Sequence, residues 1–205
     1  MSRWFAITIF VGAAQLFWVQ PMLARMLLPP LGGAPAVWNT CLVFFQAMLL
    51  AGYAYAHVST RLLGVRRQAV LHGGLLLVSA CFLPVRIPDS WSQALTTDPN
   101  PALRLLACLL VVAGLPLFIV SSTSPLLQRW FSTTGHKAAA DPYFLYAAGN
   151  LGSLGALLGY PVLLEPHLGL GHQTEAWAAG FGLLAALTAA CAIPLWAGQT
   201  AGGGG

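Results

Sequence analysis

Six long apolar stretches alternate with short polar or proline-rich connections along the 205-residue chain. Each stretch has roughly the 20 apolar residues that an α-helix needs to cross the hydrocarbon core of a bilayer. The first is expected to be retained and not cleaved as a signal peptide, because no small-residue cleavage site closes it. The pattern predicts six transmembrane helices, at residues 4–28, 35–57, 68–86, 102–120, 142–164 and 174–197.

The connections between these stretches contain residues that break helices. The segment 27–35 carries three prolines and two glycines and is predicted to be a turn. The segment 86–101 is predicted to be the longest polar loop. Residues 1–199 are thus expected to form a single six-helix transmembrane domain, and the glycine-rich residues 200–205 a flexible tail.

The composition supports this prediction. Hydrophobic residues make up 58% of the chain and charged residues only 7%, whereas a soluble domain has roughly a quarter charged residues. So little charge cannot solvate a folded globule, and the predicted fold class is an all-α integral membrane protein. The net charge of +4 is scattered along the chain. We therefore expect a lipid bilayer as surroundings and no nucleic-acid partner.

The positions of Lys and Arg predict the orientation in the membrane. With the N-terminus inside, the outer side holds three basic residues, Arg25, Arg86 and Arg104. The inner side holds six, which are Arg3, Arg61, Arg66, Arg67, Arg129 and Lys137. Because loops rich in Lys and Arg stay in the cytoplasm, both termini are predicted to be cytoplasmic.

No pattern in the sequence indicates catalysis or a metal site. A helical zinc motif, a GxSxG turn and a Walker loop are absent. The four cysteines lie in four different apolar stretches, without the spacing of metal ligands. We therefore expect a non-catalytic protein without a metal site and without a cofactor.

Uncharged polar residues within the apolar stretches are the best pointers to function, because such residues are costly in a bilayer. Gln15, Gln46 and Asn150 are the candidate contacts for a small solute. The alternative is that each side chain bonds a neighbouring helix and fixes its packing.

Glycines recur along one side of the fifth predicted helix. They are spaced three, three and four residues apart, which leaves a smooth face where another helix can approach closely. Two polar side chains border this face and can form hydrogen bonds across it. The predicted helix-packing surface consists of Gly149, Asn150, Gly152, Ser153, Gly155 and Gly159.

A short amphipathic turn is predicted in the last inner loop, over LLQRWF (126–131). There Trp130 and Phe131 would lie at the level of the lipid headgroups, with Arg129 facing phosphates. The turn is interpreted as an interfacial anchor or, alternatively, as a surface that couples to a partner.

Four blocks of sequence together resemble the membrane domain of the fused MFS/spermidine-synthase-like proteins of bacteria. They are residues 20–57, 124–131, 141–161 and 163–166, in the order of that family. In the family this membrane domain precedes a soluble aminopropyltransferase-like domain. Spermidine-synthase chemistry is not expected here, because these 205 residues contain no αβ pattern and no nucleotide-binding glycine loop.

One loop is similar to a loop of the major facilitator superfamily, between the second and third helices. In STRLLGVRR (59–67) the matching positions are Arg61, Gly64, Arg66 and Arg67, with Thr60 where the superfamily has an acidic residue. The resemblance implies half of a major facilitator fold, six helices, in the bacterial cytoplasmic membrane.

Two functions follow from these observations. The first is an accessory or scaffolding subunit that docks by helix packing in a larger membrane complex, with partner subunits or further copies of itself. The shortage of charge within the predicted helices favours it, because ion-coupled transport requires an ionisable residue near the midplane. The alternative, implied by the resemblance, is a transporter-like module that binds or moves a small solute such as a polyamine.

Overall fold

The computed structural model describes residues 1–139 and 141–197. These residues form helices and connecting turns, without a strand. The elements are α1 (Ser2–Leu31), α2 (Pro35–Ala80), α3 (Asp89–Thr97), α4 (Ala102–Ser132), a 3₁₀ turn (Lys137–Ala139), α5 (Tyr143–His167), α6 (Leu170–Ala192) and α7 (Pro194–Ala197). The predicted tail at 200–205 lies outside the described residues.

Five helical spans in the described part of the chain are long and apolar enough to cross a membrane. They are α1, α2, α4, α5 and the span Leu170–Trp196, which joins α6 and α7. Helices α4 and α5 each include one π-helical turn, at Leu110–Gly114 and Tyr160–Leu164. The number differs from the six predicted because α2 contains both the second and the third predicted helix.

Helix α2 is a hairpin. Gly64 interrupts it with φ 69° and ψ 166°, values outside the helical region. The rings of Tyr55 and His72 stack with centroids 6.1 Å apart. The same two positions in a straight helix would lie roughly 25 Å apart. The chain therefore reverses at Gly64, and α2 consists of a first arm (35–63) and a second arm (65–80).

Helix α1 extends further than predicted, through Pro29 and Pro30 to Leu31. Proline has no backbone N–H and weakens a helix after its first turn, but its fixed φ is close to the helical value, and both prolines lie in the last turn. The turn predicted at 27–35 is confined to Gly32 and the two residues after it, before α2 begins at Pro35. Gly32 ends the helix with φ 66°, which glycine adopts without a steric penalty.

The predicted polar loop at 86–101 contains the short helix α3. Asp89 lies in its first turn, where a carboxylate interacts favourably with the helix dipole. Leu95 is buried, and Trp91 packs against the main core. These two apolar contacts hold the segment on the bundle, and the polar composition of the segment did not reveal them.

Helix α1 packs against α4, α5 and α6, and α2 packs against α4. The core consists of a larger cluster around Met22, Leu117 and Trp177, and a smaller one around Phe5 and Trp130. The smaller cluster lies next to the end of the bundle that holds Gly64 and the first residues of α1, which we call the hairpin end.

Candidate functional site

The glycine face of α5 is divided between two environments. Gly152 is buried, and a Cβ atom added there would overlap the carbonyl group of Phe10 in α1. One turn earlier, a Cβ atom at Gly149 would lie 3.3 Å from the side chain of Ile9. This part of the predicted packing surface therefore forms the contact between α5 and α1 within the chain.

The other two glycines of this face have open space where a side chain would lie. A Cβ atom added at Gly155 or Gly159 would meet nothing within 4 Å. Both line a groove of about 230 Å³ between α1 and α5. We call this groove the glycine groove; it is lined by Phe10, Ala14, Trp18, Gly152, Gly155, Ala156, Gly159, Leu163 and Leu164.

The two polar residues of the predicted packing surface do not bond across it. The Ser153 hydroxyl donates to the carbonyl of Gly149, 3.0 Å away in the same helix. Asn150 is exposed, and its amide has no hydrogen bond within the described residues. Both side chains instead line a second cavity, next to α1 but distinct from the glycine groove.

This second cavity lies between α1, the first arm of α2, α4 and α5, and has a volume of about 300 Å³. We call it the polar cavity, because hydroxyl and amide groups from three helices converge on it. These groups belong to Tyr53, Ser121, Ser124, Gln128, Tyr146, Asn150 and Ser153. Such groups can form hydrogen bonds to a small solute, and none of them carries a charge.

The structure does not bring Gln15 and Gln46 to Asn150. Gln15 is only 3% exposed, and its side-chain amide donates to the carbonyl of Trp177 at 2.8 Å. The Trp177 indole donates in return to the carbonyl of Gln15 at 2.9 Å, and Gly180 leaves the space that the glutamine fills. Gln15 therefore fixes α1 against α6. Gln46 is exposed and does not line the polar cavity.

The structure corrects the prediction that two aromatic residues, Trp130 and Phe131, form an interfacial anchor. Trp130 and Phe131 are 1% and 0% exposed, so they lie in the core and not at a headgroup surface. Helix α4 continues through them to Ser132, and Phe131 packs against Phe5 with ring centroids 5.2 Å apart. Only Arg129 of the three is exposed.

A buried polar network at the hairpin end was not predicted. Trp130 donates its indole N–H to the Gln68 carbonyl oxygen at 3.0 Å. The Gln68 amide nitrogen donates to the carbonyl of Ala56 at 3.1 Å and to Ser59 Oγ at 2.7 Å. Gln68 thus joins both arms of α2 to α4. A glutamine within an apolar stretch was the signal in the sequence that could have indicated this network.

Metal-ligating side chains do not converge in the part of the chain that the structure describes. No group of three or more His, Cys, Asp or Glu there could hold a metal ion. Cys41, Cys81, Cys108 and Cys191 are free thiols, and Cys81 is the exposed one among them.

Comparisons with known proteins give no match. No family model matches the chain, and neither a curated protein nor a solved structure does. Residues 1–139 and 141–197 themselves define an all-helical protein with five spans long and apolar enough to cross a membrane. The resemblance to the membrane domain of the fused MFS/spermidine-synthase-like proteins stays a prediction.

Proposed function

We propose that this chain is an integral membrane protein that works as an accessory or scaffolding subunit, without catalytic activity of its own. In this proposal a transmembrane helix of a partner protein docks in the glycine groove. The observation that carries it is a difference between the glycines of α5. The space beside Gly152 is occupied by α1, whereas the space beside Gly155 and Gly159 is open.

Close approach of backbones is the main source of helix association in a bilayer, since lipid tails are as apolar as leucine. Four leucines of α5, Leu151, Leu154, Leu158 and Leu163, are more than half exposed and can be covered by lipid tails alone. The glycines differ, because they let a partner backbone approach as Phe10 approaches Gly152. The glycine groove is therefore the part of α5 best suited to another helix.

The shape of the glycine groove favours a different protein over a second copy. Phe10, Trp18 and Leu163 form walls around the glycine floor, so the surface is concave. A symmetric pair of copies would set the same surface patch against itself. Two concave surfaces would leave a gap, whereas a single helix from a partner would fill the groove.

Leucine at position 155 tests the proposal. We expect Gly155→Leu to leave folding unchanged, because the added side chain meets only open groove. It should weaken the complex by about 1–3 kcal/mol, or roughly 5- to 150-fold in affinity. The measurement is the amount of partner that co-purifies in mild detergent, with thermal unfolding of the isolated chain as the check on folding.

Ala147→Leu is the matched control, because it adds the same bulk at an exposed position of α5 outside the glycine groove. A stoichiometric partner retained by Ala147→Leu and lost by Gly155→Leu supports the proposal. Equal partner content in both variants would contradict it, as would a homodimer that Gly155→Leu dissociates.

The polar cavity favours the alternative, a transporter-like module for a small solute such as a polyamine. Seven hydroxyl and amide side chains converge there from α2, α4 and α5. Binding of spermidine to the isolated chain, lost in Asn150→Leu and kept in Gly155→Leu, would favour this function over the accessory role.

A further inference from the structure

A basic cavity of about 480 Å³ opens at the hairpin end, between the first arm of α2 and α4. It is separate from the glycine groove and shares only Tyr53 with the polar cavity. The residues that line it are Tyr53, Ala56, His57, Thr60, Arg61, Pro125 and Arg129.

Helical spacing explains why cations meet there. Tyr53, His57 and Arg61 follow one another at four-residue intervals, which places them on one face of the first arm. Pro125 and Arg129 have the same spacing on α4. In both helices the arginine is the cavity-lining residue that lies nearest the end of the helix. Two guanidinium groups therefore border one cavity from neighbouring helices.

No carboxylate lines this cavity. Neither Arg61 nor Arg129 has an ion pair within the described residues. The three ion pairs among the described residues involve Arg25, Arg86 and Arg104, which belong to the other end of the bundle. The charge of the two arginines in the basic cavity is thus left for an anion from outside the chain.

We infer that the basic cavity binds the phosphate group of an anionic phospholipid. Guanidinium groups form paired hydrogen bonds to phosphate oxygens, and basic pockets between helices suit lipid headgroups. His57 adds a third donor. Tyr53, Ala56 and Pro125 continue the cavity along the helices with apolar surface, which suits the glycerol and acyl part of a lipid and not a free phosphate ion. The inference rests on the membrane placement alone and not on the docking role.

The test is a lipid titration of the purified full chain in an uncharged detergent, with bound lipid counted by native mass spectrometry. Phosphatidylglycerol is the anionic probe, and phosphatidylcholine is its zwitterionic counterpart. We expect phosphatidylglycerol to be preferred, and the preference to fall roughly 30-fold in Arg61→Gln/Arg129→Gln, about fivefold for each cation. A large excess of inorganic phosphate should not displace the lipid.

Arg3→Gln/Lys137→Gln is the matched control, because it removes the same charge at the hairpin end outside the basic cavity. This control variant should keep the preference for phosphatidylglycerol. Three results would overturn the inference: an unchanged preference in the cavity variant, an equal loss in the control, or displacement of the lipid by inorganic phosphate. Because exposed residues are changed in both variants, the fold is preserved, and thermal unfolding verifies this.

Discussion

At the scale of single residues, two buried glutamines inside the apolar helices hold neighbouring helices together. Gln15 locks α1 to α6 through its bond to Trp177, and Gln68 joins α2 to α4 through Trp130. The sequence identified Gln15 as important because an amide is costly in lipid. Its partner could not be predicted, since Trp177 is 162 positions away in the chain.

The Gln68 network makes a prediction about stability. Gln68→Leu removes the acceptor of the buried Trp130 indole N–H, and an unpaired buried donor costs about 1–3 kcal/mol. We therefore expect a lower thermal unfolding temperature in detergent for this variant. His72 lies next to Gln68 in the same core, and its two ring nitrogens are buried without a hydrogen-bond partner in the described structure.

His72→Phe is the comparison for Gln68→Leu. A phenyl ring keeps the contacts of His72 with the rings of Tyr55 and Trp130 and removes two unsatisfied polar atoms. We expect its unfolding temperature to equal or exceed that of the wild type. A similar loss of stability in both variants would show that the polar network contributes nothing beyond packing.

At the scale of helices, the sequence located the second and third segments but not how they are joined. STRLLGVRR (59–67) continues the helix on both sides of one residue, Gly64. Its leucines and arginines are good helix formers, so only the φ of Gly64 makes the reversal. Whether a glycine within a helical pattern takes a positive φ depends on contacts that form later, such as the bond from Gln68 to Ala56.

The hairpin predicts opposite effects for two glycine substitutions. Gly64→Ala places a side chain where φ is 69° and ψ is 166°, a conformation that costs a non-glycine residue about 1–3 kcal/mol. Gly73→Ala in the second arm meets no atom within 4 Å and should gain up to about 1 kcal/mol of helix propensity. Unfolding temperatures in detergent check both, and a stabilised Gly64→Ala would contradict the hairpin.

The second arm is also shorter than the helix predicted at 68–86. From 65 to 80 it is roughly 24 Å long, shorter than the hydrocarbon core of about 30 Å. The residues after it, up to Ile87, are not helical, and Val85 among them is fully buried. Hydrophobic length alone therefore predicted a helix at 68–86 that is only partly helical.

At the scale of the whole molecule, the two ends of the bundle differ in charge pairing. One end holds the ion pairs Arg25–Glu165, Arg86–Glu175 and Arg104–Asp98. The hairpin end holds the other six basic residues and a single acid, Asp141. An excess of positive charge at one end is what orients a membrane protein, with that end toward the cytoplasm.

Cysteine labelling in intact cells tests whether the chain crosses the membrane six times with the hairpin end in the cytoplasm. Cys81 is first replaced by serine, because it is the exposed thiol among the four native cysteines. Gln93→Cys in α3 should then react with a membrane-impermeant maleimide. Leu62→Cys beside Gly64 and Lys137→Cys after α4 should react only when the membrane is permeabilised. All three added cysteines replace residues that are exposed, so differences in reactivity report the side of the membrane.

The reactivities of Leu62→Cys and Lys137→Cys together distinguish the possible topologies of the chain in the membrane. If the arms of α2 both cross the membrane, Leu62→Cys and Lys137→Cys behave alike, because the second arm of α2 and α4 are two passages that return the chain to the same side. Reaction of Leu62→Cys but not Lys137→Cys in intact cells would mean that the arms do not span the bilayer as a pair. Reaction of both in intact cells would reverse the orientation and place the unpaired cations of Arg61 and Arg129 outside.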